Sequence, residues 1–357
     1  MTTRRAFLAG LLAAGSTPQL GWADAGAPSH LSAAMTAHGH YVLVGLRRDG
    51  SIAFRIPLPA RGHAATAHPE RPEAVAFARR PGTYAIVIDC VSGGQLDHIQ
   101  APEGRHFYGH GAFSKDGHRL YTTENHIETG EGRIGIWSRA DGYSRIGDMA
   151  SGGIGPHEML RLPGTNMLAV ANGGILTRPE SGREKLNLET MRPNLTLVSE
   201  DGELIDIAEL PKELHQNSLR HIASGPNGQI ACAFQWQGDI YEAPSLLANY
   251  IPGHGLDLLE TPEQNIRALN GYGGSVAADT HGSIVLTSPR GGVVQTYDAK
   301  SGFLNQTRRA DICGVSVSGS NVMATDGTGG VHLVGATLQT LAQYDLAFDN
   351  HLISIQT

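Results

Sequence analysis

The sequence predicts an all-β fold, a seven-bladed β-propeller, and three observations lead to it. Short runs rich in Val, Ile, Thr and Tyr recur along the chain, whereas a helical period is hard to find in any window of about a dozen residues. Gly, Asp-Gly and Asn-Gly turns bound these runs, in a chain with 46 glycines and only 17% charged residues. The runs repeat at a period of roughly 40 to 50 residues, which is the spacing of a four-stranded propeller blade.

Six blades follow one another along the chain. Each begins with an inner strand that ends in a turn, and further strands follow it. Blade one runs from HAATAHPER to LDHIQA, blade two from GHGAFSKDG to YSRIGDM, blade three from PHEMLRLPG to ELIDIAEL, blade four from RHIASGPNG through DIYEAP, blade five from GSVAADTHG to LNQTRR, and blade six from CGVSVSGS to LAQYDL.

The two ends of the chain form the seventh blade. Three N-terminal strands, SAAMTAH, YVLVGLRRDG and SIAFRIPL, lack an inner partner, and one strand, HLISI, remains at the C-terminal end. Pairing the C-terminal strand with the three N-terminal strands closes the ring and removes the exposed sheet edges of an open array. We therefore expect a single domain over residues 24–357, a seven-bladed propeller closed by one C-terminal and three N-terminal strands.

The first 23 residues are typical of a twin-arginine export signal. Arg4 and Arg5 directly precede a short, weakly apolar run that ends near Gly15. A membrane helix needs about 20 apolar residues, so this run is too short to span a bilayer. Small residues around Ala23 and Ala25 offer cleavage sites, and we expect export to the periplasm with cleavage after Ala23. A chance Arg-Arg pair in a general secretory signal is the alternative.

Composition argues against several classes of function. The formal net charge is −7, and the leader carries two of the arginines, so nucleic acid is not expected as a partner. No later stretch is apolar enough to span a bilayer, so we expect no membrane span in the mature form. Cys90, Cys232 and Cys313 are far apart and odd in number, which argues against a disulfide framework. The sequence has no Cys-x-x-Cys-His motif, so covalent haem attachment is not expected.

Histidines recur at equivalent positions of the inner strands. The first strand of each blade lines the central channel, so residues at the same distance before its turn form a ring at one face. A histidine occupies this position in five of the seven blades. In the order of blades one to seven, the residues are His63, His110, His157, His221, Ser275, Cys313 and His351.

A ring of imidazoles suits metal coordination, because neutral imidazole is the commonest ligand of zinc, copper and iron. Three or four of the histidines would reach one ion at about 2.1 Å, with water or a ligand completing its sphere. Cys313 as a thiolate would favour copper or zinc, whereas nitrogens with carboxylate and water would favour iron. We expect a transition metal, iron or copper before zinc. The alternatives are histidines that satisfy backbone carbonyls or bridge waters, and a core position for Cys313.

Polar residues at the far ends of the second strands are expected around the ring, because these strands run back to the same face. They would orient the histidines or contact a substrate. The candidates are Glu124, Asn172, Gln235, Arg290 and Asp326, together with Glu158. The carboxylates would serve as ligands or bases, and Arg290, beside two glycines, suits an anionic group. Pairing with loop amides, or plain solvation of Arg290, is the alternative.

One long loop interrupts blade three at the same face. It spans residues 173–194 and carries Arg178, Arg183, Lys185 and Arg192 in an otherwise acidic protein. Long loops within compact folds are commonly lids or binding loops. We expect the loop to cover the channel mouth and bind carboxylates or phosphate; the alternative is a solvated excursion.

Several motifs resemble those of a known bacterial family. They are GHGAFSKDGHRLYTTEN, GIGPHEMLRLPGTNMLAVANGGI, REKLNLETMRPNL, SLRHIASGPNGQIACAFQWQG, TSPRGG and DNHL. Through them the whole mature chain is similar to the bacterial domain-of-unknown-function family 1513. The resemblance implies a propeller like those of quinoprotein and WD-type proteins. It also implies a gene neighbourhood of imelysin-type iron-uptake proteins and a di-haem oxidoreductase, and hence periplasmic iron acquisition.

Three functions stand as hypotheses. The first is a periplasmic metal-binding propeller that serves iron or copper acquisition through the histidine ring, with iron-uptake or redox proteins as partners. The second is a metal-dependent oxidoreductase or lyase, in which Glu124 or Arg290 acts on a substrate at the same site. The third is a metal-free scaffold that docks a partner protein or peptide at the channel mouth.

Overall fold

The runs of β-branched and aromatic residues form 29 strands within residues 20–79, 83–182 and 184–355, which are the residues described by this computed structural model. Side chains alternate along each strand, so buried Val, Ile, Leu and Ala face the neighbouring sheets. The twin-arginine motif and Arg183 lie outside the described residues.

The strands belong to seven antiparallel sheets. The chain begins with β1 (His30–Thr36), β2 (Tyr41–Leu46) and β3 (Ile52–Leu58). Blade one consists of β4 (Gly62–Ala67), β5 (Glu73–Ala78), β6 (Tyr84–Asp89) and β7 (Gln95–Gln100). Blade two consists of β8 (Arg105–Phe113), β9 (Arg119–His126), β10 (Gly132–Ser138) and β11 (Ser144–Ala150). Blade three consists of β12 (Pro156–Arg161), β13 (Met167–Asn172), β14 (Asn194–Ser199) and β15 (Leu204–Glu209).

The remaining blades follow the same plan. Blade four consists of β16 (Asn217–Ser224), β17 (Ile230–Trp236), β18 (Leu247–Ile251) and β19 (Gly255–Leu258). Blade five consists of β20 (Ser275–Ala278), β21 (Ser283–Ser288), β22 (Val293–Asp298) and β23 (Gly302–Arg308). Blade six consists of β24 (Ile312–Ser318), β25 (Asn321–Asp326), β26 (Gly330–Val334) and β27 (Leu338–Gln343). The last strands are β28 (Leu346–Phe348) and β29 (Ile353–Ser354).

The seventh blade joins the two ends of the chain. Its strand order is β28-β1-β2-β3, and β29 also pairs with β1. The predicted seven-bladed propeller, closed by one C-terminal and three N-terminal strands, is therefore confirmed. The innermost strand differs in one respect: β28 lies before the predicted strand HLISI, and residues 349–352 separate it from β29.

Helical segments are short in the described part of the chain. The α-helix Glu263–Ala268 leads from blade four into blade five. Single 3₁₀ turns occupy Pro179–Ser181, Leu188–Thr190, Lys212–Leu214, Pro226–Gly228 and Ile240–Glu242. No helix among the described residues has the length and apolar character needed to cross a bilayer.

Hydrophobic side chains fill the spaces between neighbouring blades. Leu43, Phe77, Leu168 and Phe234 are each at most 1% exposed, and one cluster extends over blades three, four and five. Burial of this apolar surface, worth about 25 cal/mol per Å², is the main source of stability. The inner strands are thereby fixed around the channel.

The segment before β1 packs against the closing blade and blade one. Trp22 is 5% exposed, and its indole N–H donates to the carbonyl oxygen of His68 at 2.9 Å. Trp22 shares a hydrophobic cluster with Leu31 and Leu43. The fold therefore anchors a residue that lies on the leader side of the expected cleavage point after Ala23.

Candidate metal centre

Breaks in strand pairing position the ring residues. In blades one, two, three, four and six, the innermost strand shifts register against the second strand, as at a β-bulge. In the seventh blade the gap between β28 and β29 has the same place. The residues in or directly beside these breaks are His63, His110, His157, His221, Cys313 and His351. Because a bulge re-aims a side chain, each break turns one ring residue away from the regular alternation of its strand.

The structure brings the five predicted histidines together. Neighbouring imidazole centroids lie 4.5 Å apart for His110 and His351, 4.6 Å for His63 and His351, and 4.9 Å for His157 and His221. His110, His221 and His351 are each 3% exposed. The cluster therefore forms one continuous group of imidazoles, contributed by five blades.

Glu158 adds a carboxylate to this histidine cluster. Its Oε2 accepts hydrogen bonds from Nδ1 of His221 at 3.2 Å and from the backbone N–H of Ile222 at 3.0 Å. Its Oε1 lies 3.7 Å from Nδ1 of His110. When Nδ1 of His221 donates in this contact, its Nε2 keeps a free lone pair. Carboxylates orient metal-ligating histidines in this way.

The backbone orients His157 in a similar manner. Nδ1 of His157 donates to the carbonyl oxygen of Arg220 at 3.1 Å. Nε2 of His157 is therefore the unprotonated nitrogen. Its ring lies beside that of His221 and completes one side of the cluster.

The spacing of the ring nitrogens matches that of metal ligands. Nε2 of His63 and Nε2 of His110 lie 3.3 Å apart. Two ligands at about 2.1 Å from one ion are about 3.0 Å apart in an octahedron and about 3.4 Å apart in a tetrahedron. Among the described residues, Nε2 of His351 and Nδ1 of His63 are buried without a hydrogen-bond partner. Such an atom costs about 1–3 kcal/mol, so a ligand for at least one of them is expected.

Within the described part of the chain, two groups of three ligand atoms have all their members within 4.8 Å of one another. One consists of His63, His110 and His351, and the other of Glu158, His221 and His351. The first group offers only nitrogen, which suits copper or zinc. The second offers two histidines and a carboxylate, the ligand set of non-haem iron(II) sites. His351 is common to both groups.

The imidazoles are in the metal-binding form at neutral pH. Burial, followed by neighbouring positive charges, lowers the pKa values of His63, His110 and His157 well below the usual range. Burial is also the main cause that lowers the pKa of His351 to about 4. Protons therefore do not compete with a metal ion for these nitrogens at pH 7.

A channel of about 420 Å³ leads to the cluster along the inner strands. His110, Glu158 and His351 line one end, and Ser114 and Asp279, at the turns of the inner strands, line the other. A small molecule would thus reach the ligand atoms from the face opposite the histidine mouth.

Cys313 belongs to neither group of ligand atoms. Its Sγ lies 3.3 Å from the carbonyl oxygens of Thr325 and Asp349, and the side chain is 1% exposed within a hydrophobic cluster. Burial raises the pKa of the thiol to about 12. A protonated thiol that donates to backbone carbonyls favours a core position over a ligand role.

Glu124 and Asp326 are engaged within their own blades. Glu124 is 0% exposed and accepts hydrogen bonds from Arg145 at 2.7 and 3.0 Å. Asp326 accepts from Nε of Arg309 at 2.6 Å and from His332 at 2.8 Å. Burial opposes ionisation of Asp326, but its hydrogen bonds prevail and keep its pKa well below the usual range. Neither carboxylate belongs to a candidate ligand group.

Asn172 and Gln235 tie strand ends together. The Asn172 amide donates to the carbonyl of Ser151 and to Oδ1 of Asn194, both at 2.8 Å, and Asn172 is 0% exposed. The Gln235 amide donates to the carbonyl of Gly273 at 3.2 Å. Both residues support the face that surrounds the histidine cluster.

Two supporting residues were not predicted from the sequence. The carboxylate of Asp349 accepts hydrogen bonds from Arg61 at 2.7 Å and Arg79 at 3.1 Å, and it fixes the segment that carries His351. The carbonyl of Arg220 orients His157. Asp349 is part of the DNHL motif and lies two residues before His351. This closeness in sequence was the one indication that Asp349 could support the ring.

The fold and the site define a class of protein: a seven-bladed β-propeller with a buried cluster of histidines and one glutamate at one end of its channel. The chain belongs to the family described as protein of unknown function (DUF1513), whose model matches residues 56–355. The family resemblance seen in the sequence is therefore confirmed. No curated protein matches the chain at a significant level.

Solved structures share the fold at low sequence identity. A chain of hydrazine synthase from Kuenenia stuttgartiensis superposes with a TM-score of 0.61 at 12% identity, over 90% of this chain and 97% of that one. BamB from Moraxella catarrhalis gives a TM-score of 0.51 at 12% identity, over 88% and 82%. The WD40 repeats of RRP9 give 0.52 at 12% identity, over 92% and 94%. These similarities show the propeller architecture alone.

Proposed function

We propose that this propeller binds a first-row transition metal ion, iron or copper, through the histidine cluster, and serves metal acquisition in the periplasm. The observation that carries the proposal is the convergence of five imidazoles and one carboxylate, contributed by five blades, on one end of the channel. The export signal and the family resemblance support the compartment and the role in acquisition.

The donor set argues for a metal ion over a purely structural polar cluster. Histidines that only stabilise a fold place their nitrogens on hydrogen-bond partners. Here Nε2 of His63 and Nε2 of His110 share one hydrogen bond at 3.3 Å, and Nε2 of His351 is buried without a partner among the described residues. A cation that replaces the proton of this hydrogen bond would bind all three nitrogens.

Iron is favoured by the group that contains Glu158. Two histidines and one carboxylate leave positions open for water or a further ligand on iron(II). The all-nitrogen group would bind copper instead, and occupation of one group withdraws His351 from the other. One ion per chain is therefore the expected stoichiometry.

Metal titration tests the proposal. Protein purified from the periplasm would first be stripped of metal with a chelator. It would then be titrated separately with copper, with zinc and, under a nitrogen atmosphere, with iron(II). Mass spectrometry would count the metal ions bound per chain. We expect one ion per chain and, for His351→Ala, an affinity lower by about 100-fold or more, since a ligand common to both groups is lost.

The matched control is His38→Ala, because His38 is exposed in the turn between β1 and β2. This variant should bind metal as the wild type does. Both variants should unfold cooperatively, as measured by circular dichroism. Absence of bound metal from the wild type, or equal affinities in the two variants, would refute the proposal.

Catalysis at the same metal is the second candidate, and the channel is the observation that favours it. His110, Glu158 and His351 line its inner end, so a small substrate would reach an open coordination position. Arg145 binds the carboxylate of Glu124, which favours Glu158 over Glu124 as the base in this second candidate. Turnover of a redox substrate by iron-loaded protein, lost in His351→Ala, distinguishes catalysis from storage or transfer.

A further inference from the structure

Basic side chains from three separate segments meet at the mouth above the histidine cluster. Lys185 comes from the long loop of blade three, Arg220 from the bulge of β16, and Arg290 from the turn after β21. All three segments lie on the face where the ring residues begin the inner strands.

Arg290 is fixed close to the cluster. Its guanidinium lies 4.4 Å above the ring of Tyr272. The hydroxyl of Tyr272 accepts a hydrogen bond from the amide of Asn350 at 3.4 Å. Asn350 immediately precedes His351, so the stacked pair lies beside the ligand common to both metal groups.

The long loop of blade three places Lys185 on the same side of the mouth as Arg290. Its Nζ donates to Oε1 of Gln237 at 2.6 Å, and the amide of Gln237 donates to the carbonyl of Gln235 at 2.7 Å. Gln235 in turn forms a β-bridge with Tyr272. The side chain of Asn187 braces the loop through bonds to its own backbone at 2.7 and 2.8 Å. The loop is therefore folded back onto the mouth.

Arg220 occupies the space between the loop and the cluster. A Cβ on Gly173 would lie 3.5 Å from the guanidinium carbon of Arg220, so the start of the loop packs directly against this side chain. Partial burial, then the charges of Arg220 and Arg290, lower the pKa of Lys185. Lys185 is therefore within electrostatic reach of both arginines.

Lys185 and Arg290 carry positive charges that are not balanced by ion pairs within the described part of the chain. Among the described residues, Lys185 contacts an amide and Arg290 an aromatic ring, and neither forms a salt bridge. Two other arginines of the same loop do have carboxylate partners: Arg178 lies near Glu180, and Arg192 binds Glu209. The cluster holds one carboxylate, that of Glu158, so a bound divalent cation would still add positive charge at the mouth.

We propose that Lys185, Arg220 and Arg290 form an oxyanion site in the mouth, which binds a carboxylate or phosphate group as the remaining ligand of the metal. The placement of the anion on the metal rests on the proposed function, whereas the basic site itself does not. The ligand class is an anionic metal chelate, or a free oxyanion that joins the bound ion. Arginine and lysine side chains are suited to both groups.

Anion titration of metal-loaded and metal-free protein tests the proposal. Citrate and phosphate would each be titrated by calorimetry into the full mature chain, into the double variant Lys185→Gln/Arg290→Gln, and into Arg192→Gln as the matched control from the same loop. We expect wild type and control to bind alike and the double variant to bind at least tenfold more weakly. Metal affinity, measured without added oxyanion, should change less than twofold in the double variant, because neither residue is a proposed metal ligand.

The outcomes separate the two proposals. Binding of citrate but not phosphate identifies a polycarboxylate chelate, and the reverse identifies phosphate; both support the oxyanion site. If no metal binds but the anion still binds through Lys185 and Arg290, the oxyanion site stands and the metal proposal fails. If metal binds while the double variant and the wild type have equal anion affinities, the oxyanion site is wrong.

Discussion

Glu158 connects the two halves of the histidine cluster. Its carboxylate lies 3.2 Å from His221 and 3.7 Å from His110, and its Oε2 also accepts a backbone N–H. It is the single carboxylate in the candidate ligand groups of the described residues. Removing its charge, with its shape retained, should therefore affect metal binding more than folding.

Glu158→Gln should lower metal affinity by about 10- to 100-fold, the usual cost of losing a carboxylate that binds or orients metal ligands. Competition with a chelator of known affinity measures the change. The control is Glu124→Gln, which removes a carboxylate bound to Arg145 in blade two. It should lower the free energy of unfolding by about 1–3 kcal/mol and leave metal affinity unchanged. Equal metal affinities of Glu158→Gln and the wild type would remove Glu158 from the site.

The metal-free protein should lose stability as the pH falls below the pKa of an unperturbed histidine. Histidine in the unfolded chain has a pKa of about 6.5, whereas burial lowers the pKa of His351 to about 4 and those of His63, His110 and His157 well below the usual range. The unfolded state therefore binds more protons between these values, so the stabilisation present above pH 6.5 decreases toward pH 4.

Denaturant unfolding of the metal-free protein at pH 7 and pH 5.5 measures this effect. We expect a loss of about 1 kcal/mol for each of the buried histidines whose pKa is lowered. Metal should stay bound to the folded protein at both pH values, because protons compete for the nitrogen of His351 only near pH 4. Equal stability at the two pH values would contradict neutral, buried imidazoles.

At the scale of the element, the sequence repeat predicted which residues form the histidine ring. It did not predict the strand irregularities that direct their side chains into the ring. Turn spacing placed His63 and four further histidines at equivalent positions, and the structure brings these together. The bulges that aim them were not predictable, because a register shift depends on the pairing with the second strand. Position near a strand end also did not distinguish Glu158 from Glu124. Glu158 lies at the histidine cluster, whereas Glu124 forms an ion pair within blade two.

The N-terminal segment should contribute to stability through Trp22. Its indole is buried against the closing blade and donates to the carbonyl of His68. Trp22→Ala should lower the free energy of unfolding by about 3–5 kcal/mol, the usual cost of such a truncation in a core. Chains that begin at Gly21 and at Asp24 should differ by a similar amount in denaturant unfolding. Equal stability of the two chains would show that the leader side of Ala23 does not belong to the fold.

At the scale of the whole molecule, a metal ion in either ligand group would link three of the seven blades, one of them the closing blade. The ligand groups draw on blades one, two, three, four and the closing blade, whose innermost strand comes from the C-terminal end. A ligand that binds only the folded state stabilises it by about 2.7 kcal/mol at 100 times its dissociation constant. The bound metal and the closure of the ring should therefore reinforce each other.

Twin-arginine export, which is a proposal from the sequence, would decide which metal the protein carries. A twin-arginine substrate crosses already folded, so the ion would be inserted in the cytoplasm, where metal supply decides occupancy. We expect the metal content to change when the chain follows a signal for unfolded export, as measured by mass spectrometry of periplasmic protein. If the protein carries the same metal after export by either route, the signal directs export but does not determine metal loading.

Anomalous diffraction from crystals grown with iron(II) under nitrogen tests the central claim most directly. Data collected on both sides of the iron absorption edge should show one peak per chain, at about 2.1 Å from ligand atoms of His351 and at least two other residues of the cluster. A peak confined to surface carboxylates, or no peak at the cluster in crystals that contain iron, would contradict a metal site at this end of the channel.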